Sequence, residues 1–208
     1  MEDIKQQTPT NVPKQHRNRF GVSGGSTRNG DFNRYLFLAK SHDYVLFFTT
    51  KGQVYMLRGY QIPEFSRTAK GSPIINLLQL SQDEKITAVI NISEFDDKKY
   101  LFMATNKGTV KRCKLTDFSS VRKNGLKAIV LNDNEELVSV KITDGSNSLL
   151  LATHYGMAIH FDEKDVRCTS RMAHGVKGII LYVGDYVVAM DVVTDETSDV
   201  LTVTEDGR

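Results

Sequence analysis

The sequence predicts an all-β fold, a propeller-like array of four-stranded antiparallel blades, and three observations carry that prediction. The motif Thr-x-x-Gly closes an apolar run four times, with its glycines at 52, 108, 156 and 207. A period near fifty residues, built from short strands, marks a propeller-like or solenoid array rather than one compact catalytic domain. A second marker tracks the first. The frame R-x-x-x-G-V-x-G appears as Arg17-Asn-Arg-Phe-Gly-Val-Ser-Gly24 and again as Arg171-Met-Ala-His-Gly-Val-Lys-Gly178, with weaker copies at Arg67-Thr-Ala-Lys-Gly71 and Arg122-Lys-Asn-Gly125. Finally, the apolar runs are short, are separated by turn residues, and show no sustained helical period.

Taken in order, residues 1–14 (MEDIKQQTPTNVPK) are polar, carry two prolines and have no period, so they read as a flexible leader. Residues 15–208 form the predicted array. Its first stretch, residues 15–30, is rich in Gly, Ser, Asn and Arg and reads as an exposed basic loop. Hairpins follow. Tyr44-Val-Leu-Phe-Phe-Thr-Thr leads through Lys51-Gly52 into Val54-Tyr-Met-Leu; Leu101-Phe-Met-Ala-Thr leads through Lys107-Gly108 into Val110-Lys-Arg-Cys-Lys; Leu149-Leu-Leu-Ala-Thr leads through Tyr155-Gly156 into Met157-Ala-Ile-His-Phe. After each hairpin come the R…G loop and a third apolar run: Ile74-Ile-Asn-Leu-Leu, Ala128-Ile-Val-Leu or Ile179-Ile-Leu-Tyr. An acidic or Gly-Asp turn then leads to a fourth run, beginning at Ile86, Leu137 or Tyr186. The first R…G loop has no hairpin before it and the last hairpin stops at Asp206-Gly207-Arg208, so the array reads as partial, with truncated first and last blades and open strand edges.

With 208 residues, 40% of them apolar, the chain can bury one sizeable core or several small ones, and the repeat favours the second. Runs such as Val45-Leu-Phe-Phe48 are too short to span a bilayer. The N-terminal stretch lacks the apolar region of a secretory signal, so a cytoplasmic location is expected. Cys113 and Cys168 occupy different offsets in their repeats and have no C-x-x-C spacing, which suits a reducing compartment.

The net charge of +2 hides a segregation by position. Between Thr105 and Lys127 the cations Lys107, Lys111, Arg112, Lys114, Arg122, Lys123 and Lys127 face Asp117 alone, a local balance of 7 − 1 = +6. Acid then returns at Asp133, Glu135 and Glu136. The same alternation sets Lys51, Arg58, Arg67 and Lys70 before Asp83 and Glu84, and the two full frames add Arg17, Arg19, Arg171 and Lys177. A folded array could gather these along one basic rim.

Several of these stretches resemble the C-terminal domain family of the gyrase A protein, the DNA-cleaving half of bacterial DNA gyrase, and more distantly that of topoisomerase IV. The carriers are the run from Tyr44 through Thr-Lys-Gly-Gln-Val-Tyr-Met-Leu-Arg to Pro63, Ser66-Arg-Thr-Ala-Lys-Gly71, Thr105-Asn-Lys-Gly-Thr-Val-Lys-Arg112, Arg122-Lys-Asn-Gly-Leu-Lys-Ala128 and Gly175-Val-Lys-Gly178. The resemblance runs from about residue 15 onward. It implies a β-pinwheel with strands exchanged between neighbouring blades, whose basic rim wraps double-stranded DNA. It also implies partners in the rest of the gyrase A protein and in the gyrase B protein, and a bacterial, chromosome-associated setting. The family's hallmark box, Q-R-R-G-G-K-G, falls on residues 15–21. Gln15, Arg17 and Gly21 match, while Asn18 and Arg19 replace both central glycines and Phe20 replaces a cation.

Each cation taken singly reads as a solvated surface charge; what singles them out is their recurrence beside the repeat marker. Cations and backbone N–H groups on a surface that follows a duplex can bind phosphates without any base-reading helix, so sequence-tolerant binding is expected. Gly71, Gly125 and Gly175 read as turn formers first and as points of close phosphate approach second. Gly21-Val-Ser-Gly-Gly-Ser-Thr lacks the lysine and spacing of a nucleotide-binding loop. The five histidines show no metal-ligand spacing with the cysteines, Cys168 has no evident orienting partner, and Asp96-Asp97 and Glu135-Glu136 read as turn acids. No cofactor, metal or catalytic residue is expected. The alternative is a propeller-type protein interaction platform, which should expose aromatic anchors on its loops; these loops read as Arg, Lys and Gly.

Overall fold

The structure, a computed structural model, describes residues 2–7, 34–66 and 69–193. In chain order the strands are β1 (Asp3–Ile4), β2 (Tyr44–Thr49), β3 (Gln53–Arg58), β4 (Ser72–Pro73), β5 (Ile86–Ile92), β6 (Tyr100–Thr105), β7 (Thr109–Lys114), β8 (Leu126–Lys127), β9 (Leu137–Thr143), β10 (Ser148–Thr153), β11 (Ala158–Asp162), β12 (Val176–Lys177) and β13 (Val187–Val193). Two units divide the chain, Met1–Phe95 with Phe118–Ala128, and Asp96–Asp117 with Ile129–Arg208.

In the first unit the sheet order is β5-β2-β3-β8, and β1 pairs separately with β4. Central β2 reads as an almost continuous apolar run because it is covered on both faces. Its Val45 and Phe47 pack with Tyr55, Leu57, Ile62, Ile74, Leu78 and Ile86, each large apolar side chain contributing roughly 1.5–3 kcal/mol on full burial. The second unit holds two sheets, β12-β7-β6-β9 and β11-β10-β13. Phe102, Ala104 and Val110 of one meet Leu149, Leu151, Val187 and Met190 of the other in a common core.

The repeat markers have a physical basis. Gly52, Gly108 and Gly156 take φ of +71°, +78° and +81° at the hairpin turns, and each N–H donates back to the carbonyl of the Thr three residues earlier. At each of these threonines the pairing with the neighbouring fourth-run strand shifts register. There the hydroxyl accepts the N–H of Gln53, Thr109 or Met157 at 3.1–3.3 Å. Thr49 donates to Glu84 Oε1 at 2.6 Å and Thr105 to Glu135 Oε1 at 2.5 Å, and Thr153 hydrogen-bonds Asp185. The three acids are the turn acids of the repeat, each preceded by a residue at positive φ: Asp83, Asn134 and Gly184.

One expectation is corrected. The third apolar run is no strand: Ile74–Asn76 is a single 3-10 turn, and residues 128–131 and 179–182 form no strand either. Ala128, Ile129 and Ile179 are buried, yet the short strand that pairs begins just after the glycine and lies on the preceding hairpin, β8 on β3 and β12 on β7. The chain then crosses the hairpin turn, where Ala128 N–H donates to Gly52 O and Gly178 N–H to Gly108 O, both at 2.8 Å, and leaves the ladder.

At the start of the stretch read as a leader, residues 2–7 pair within the first unit: Ile4 pairs with Ser72 and packs on the core, Ile74 N–H donates to Glu2 O, and Phe65 N–H donates to Gln6 O. Ile4 therefore stands where Val54 and Val110 stand against β8 and β12. Residues 8–14 lie outside the described residues.

Candidate nucleic-acid interface

The exchanged strands decide where the cations fall. Lys51 sits in the β2–β3 turn, and Lys127 on β8 pairs opposite Gln53, so both exposed lysines lie at the turn end of one sheet. In the second unit Lys107 occupies the corresponding turn and Lys177 on β12 pairs opposite Thr109, both again exposed. One lysine of each pair comes from the hairpin turn and the other from the strand that docks beside it. Lys51 Nζ also donates to Gln82 O at 2.5 Å, which fixes its stem across the neighbouring acidic turn.

Lys70, Arg122, Lys123 and Lys114 are exposed. Arg122 and Lys123 lie on the loop leading into β8, where Met56 N–H donates to Arg122 O at 3.4 Å. Gly125 beside them has φ +78°, and a Cβ there would lie 2.5 Å from Tyr55 Cε1. At Gly175 a Cβ would lie 2.6 Å from Val110 O. Both glycines are accounted for by chain packing.

Three expected rim cations are engaged inside the fold. Lys111 is 1% exposed, and its Nζ donates to Arg171 O at 2.5 Å; burial holds its pKa below the ordinary lysine value. Arg112 lies with NH1 3.6 Å from the fully buried Glu163 and its guanidinium 5.0 Å from the Tyr100 ring centroid. Glu163 in turn accepts the Thr143 hydroxyl at 2.6 Å and the N–H groups of Gly145 and Asn147 at 2.8 Å. Arg58 stacks 3.5 Å from the Tyr44 ring centroid and donates to His42 O and Tyr44 Oη, so packing holds its guanidinium. Arg171 is half-buried. Gln15, Arg17, Arg19, Gly21 and Arg67 lie outside the described residues.

The titratable groups point to structural roles. Burial pushes the Cys113 thiol up to about 11. Burial, and then the Glu84 carboxylate that accepts its hydroxyl at 3.0 Å, push Tyr55 up to about 12. Cys113 is buried, Cys168 is exposed, and both are free thiols. Among the described residues no three His, Cys, Asp or Glu side chains cluster as a metal site, and no helix is long and apolar enough to cross a membrane.

One feature of the loops departs from the sequence reading. Tyr60, Tyr155 and Tyr182 are about 60% exposed or more, and the His154 ring stacks on Tyr186 at 4.7 Å between centroids. At the third hairpin Tyr155 occupies the place of Lys51 and Lys107. Aligning the repeats on Thr-x-x-Gly was the signal available for that replacement.

Four-stranded blades that take their outermost strand from beyond the next hairpin define the fold as a propeller-like, strand-exchanged array. The chain belongs to the family described as the DNA gyrase C-terminal domain, beta-propeller, whose model matches residues 43–93, 99–144 and 147–194. Over 98% of its length it is 44% identical to the DNA gyrase A protein of Haloquadratum walsbyi, and over 85% it is 48% identical to that of Halalkalibacterium halodurans. It spans only 24% and 21% of those relatives. Among solved structures, a topoisomerase IV C-terminal domain matches with a TM-score of 0.70 at 34% identity, over 75% of this chain and 49% of that one. A DNA gyrase A C-terminal domain matches at 0.63 and 26%, over 86% of this chain and 60% of that one. The E. coli ParC C-terminal domain shares the fold at 0.71 and 22% identity, over 93% of this chain and 76% of that one.

Proposed function

We propose that the chain is a non-catalytic module of a gyrase A protein that binds duplex DNA and bends or wraps it along its lysine-bearing hairpin ends. The observation that carries this reading is the recurrence of one lysine pair, Lys51 with Lys127 and Lys107 with Lys177, at the same end of two sheets. Lys70, Lys114, Arg122 and Lys123 add exposed charge. Phosphates need cations on a surface that follows the backbone, and they need no base-reading helix. Cleavage and ATP hydrolysis would belong to the remainder of the gyrase A protein and to the gyrase B protein, in the bacterial cytoplasm on the chromosome. A protein interaction platform is the second reading, supported by exposed Tyr155 and Tyr182.

Salt-dependent binding to duplexes of equal length and different sequence tests the proposal. Log affinity should fall with log salt at roughly −0.9 per phosphate neutralised, with little dependence on sequence. Reversing Lys51 and Lys127, or Lys107 and Lys177, should make the slope shallower by about one to two phosphates. A flat salt response would remove the DNA reading.

A further inference from the structure

The turn ends of the three hairpin sheets share one main-chain frame. The N–H groups of Thr50, Asn106 and His154 donate to the carbonyls of Lys85, Glu136 and Tyr186, each at 2.9 Å, so the three ends correspond residue by residue. The first two are polar. Lys51, Ser81, Gln82 and Lys85 stand at one, Lys107, Asn132, Asp133 and Glu136 at the other, and all are exposed. In the third repeat the same places hold Tyr155, Tyr182, Val183 and Tyr186, which are 58%, 67%, 100% and 41% exposed. Neither β8 nor β12, docked beside the first two turns, covers these places, so their exposure in the third repeat does not depend on an exchanged strand.

The aromatic end is held in place by its own chain. Buried Asp185 accepts the N–H groups of Tyr155 and Tyr186 at 3.0 and 2.9 Å, and the His154 ring, stacked on Tyr186, lies 5.6 Å from that of Tyr155. Tyr155 reaches across the neighbouring turn as Lys51 does: a Cβ on Gly184 would lie 2.9 Å from its Oη, where Asp83 and Asn134 take the corresponding positive φ. This end also adjoins the lysine-bearing one of the second sheet. Val187 N–H donates to Asn106 O at 2.9 Å, which sets Tyr186 and Lys107, the next residues in the chain, on neighbouring turns of one unit. Tyr155, Tyr182, Val183 and Tyr186 carry no charge, so they neither neutralise phosphate nor repel it. Exposed rings offer DNA a stacking face for its bases. We infer that this end takes an unstacked base of the DNA held by Lys107 and Lys177, an inference that rests on the DNA reading. A base that is already unpaired costs least to unstack, so a bulged duplex is the favoured form, and the contact adds affinity without releasing counterions.

Anisotropy titrations of the whole chain, comparing a fully paired duplex with one of equal length that carries a fluorescent adenine analogue in a short bulge, test it. The bulged duplex should bind about five-fold more tightly or better, and the analogue's emission should fall as it stacks. Tyr155→Lys, which restores the residue of the other two ends, should erase that preference and steepen the salt slope on the paired duplex by about one phosphate. Tyr182→Asn, matching Asn132, should reduce the preference and the quenching. Both side chains are exposed, so thermal melts should show both variants folded. Equal affinity for the two duplexes with a steep salt slope would overturn the stacking inference and leave the DNA reading standing. No binding to either duplex would remove both. A bulge preference unchanged in both variants would also overturn the inference and leave these rings to a protein partner.

Discussion

The Thr105 hydroxyl donates to Glu135 Oε1 at 2.5 Å, joining two buried residues thirty positions apart. Glu135 Oε2 also accepts the main-chain and side-chain N–H groups of Asn132 at 3.0 and 2.8 Å. Burial alone would raise the Glu135 pKa, but hydrogen bonds from Thr105, Thr109 and Asn132 outweigh it and hold the carboxyl below its ordinary 4.5. Asp185 is shifted down in the same way, with Thr153, Tyr155 and Tyr186 outweighing its desolvation. The unfolded chain therefore takes up these protons first as pH falls. The stability they contribute is complete above the unfolded value and is lost as pH drops through the depressed folded ones. Denaturant midpoints should be level near neutrality and fall below about pH 4.5. Glu135→Gln should lower stability at neutral pH by about 1–3 kcal/mol and flatten the acid limb; an unchanged acid limb would contradict this assignment.

Gly125 and Tyr55 make a second test. With φ at +78° and a Cβ 2.5 Å from the ring, Gly125→Ala must both strain the backbone and move Tyr55 away from Glu84. The backbone share alone is about 1–2 kcal/mol. The tyrosinate titration assigned to Tyr55, identified by its loss in Tyr55→Phe, should move down from about 12 as the ring leaves its buried place. Thermal unfolding and absorbance titration would read the two effects. A fully tolerated alanine would mean that the loop moves without cost.

The hairpins and the Thr-x-x-Gly marker were legible because short apolar runs on either side of a left-handed glycine write themselves directly into sequence. Ile129 and Ile179 misled for a stated reason: they are apolar and buried, but burial across a turn and burial in a ladder look alike in a short run. β8 and β12, two residues each, are too short to carry a period. Ile4 is a lone apolar residue in a polar leader, and only the register of β1 on β4 exposes its kinship with Val54 and Val110. The lysine pairs were legible as cations but not as pairs, since the pairing depends on strand exchange. Lys111 was read as a rim charge although its counterparts, six positions after each repeat threonine, are Tyr55 and Ile159; that alignment marks an inward-facing position.

The box at residues 15–21 lies outside the described residues, and its effect is best tested through DNA shape. Bending a duplex of 20–30 bp by 40–90° costs about 1–6 kcal/mol, so an anchor too weak to hold a bend can still hold a short straight duplex. Restoring glycine at Asn18 and Arg19 and lysine at Phe20 should bring labelled duplex ends closer together more than it raises affinity for a short duplex. Equal end-to-end approach before and after the change would make those three substitutions neutral.

Lys111 and Lys114 lie three residues apart on β7, one buried and one exposed, and the DNA reading separates them sharply. Lys114→Glu should weaken duplex binding and reduce its salt slope while leaving thermal unfolding unchanged, because its exposed side chain can meet phosphate. Lys111→Met should leave binding unchanged and keep stability within about 1 kcal/mol, since an apolar side chain of similar length replaces a cation whose burial is costly. The lowered Lys111 pKa sets a pH signature. Its desolvation cost is fully present below the folded value and is relieved as pH rises through that value toward the unfolded 10.5. The methionine variant should therefore lose that alkaline rise in stability. Lys111→Glu, by contrast, places an acid in a buried site and should unfold the second unit. Fluorescence anisotropy with labelled duplex and thermal melts across pH would read all three variants. Weakened binding in Lys111→Met with an unchanged melt would put Lys111 back among the residues that meet DNA.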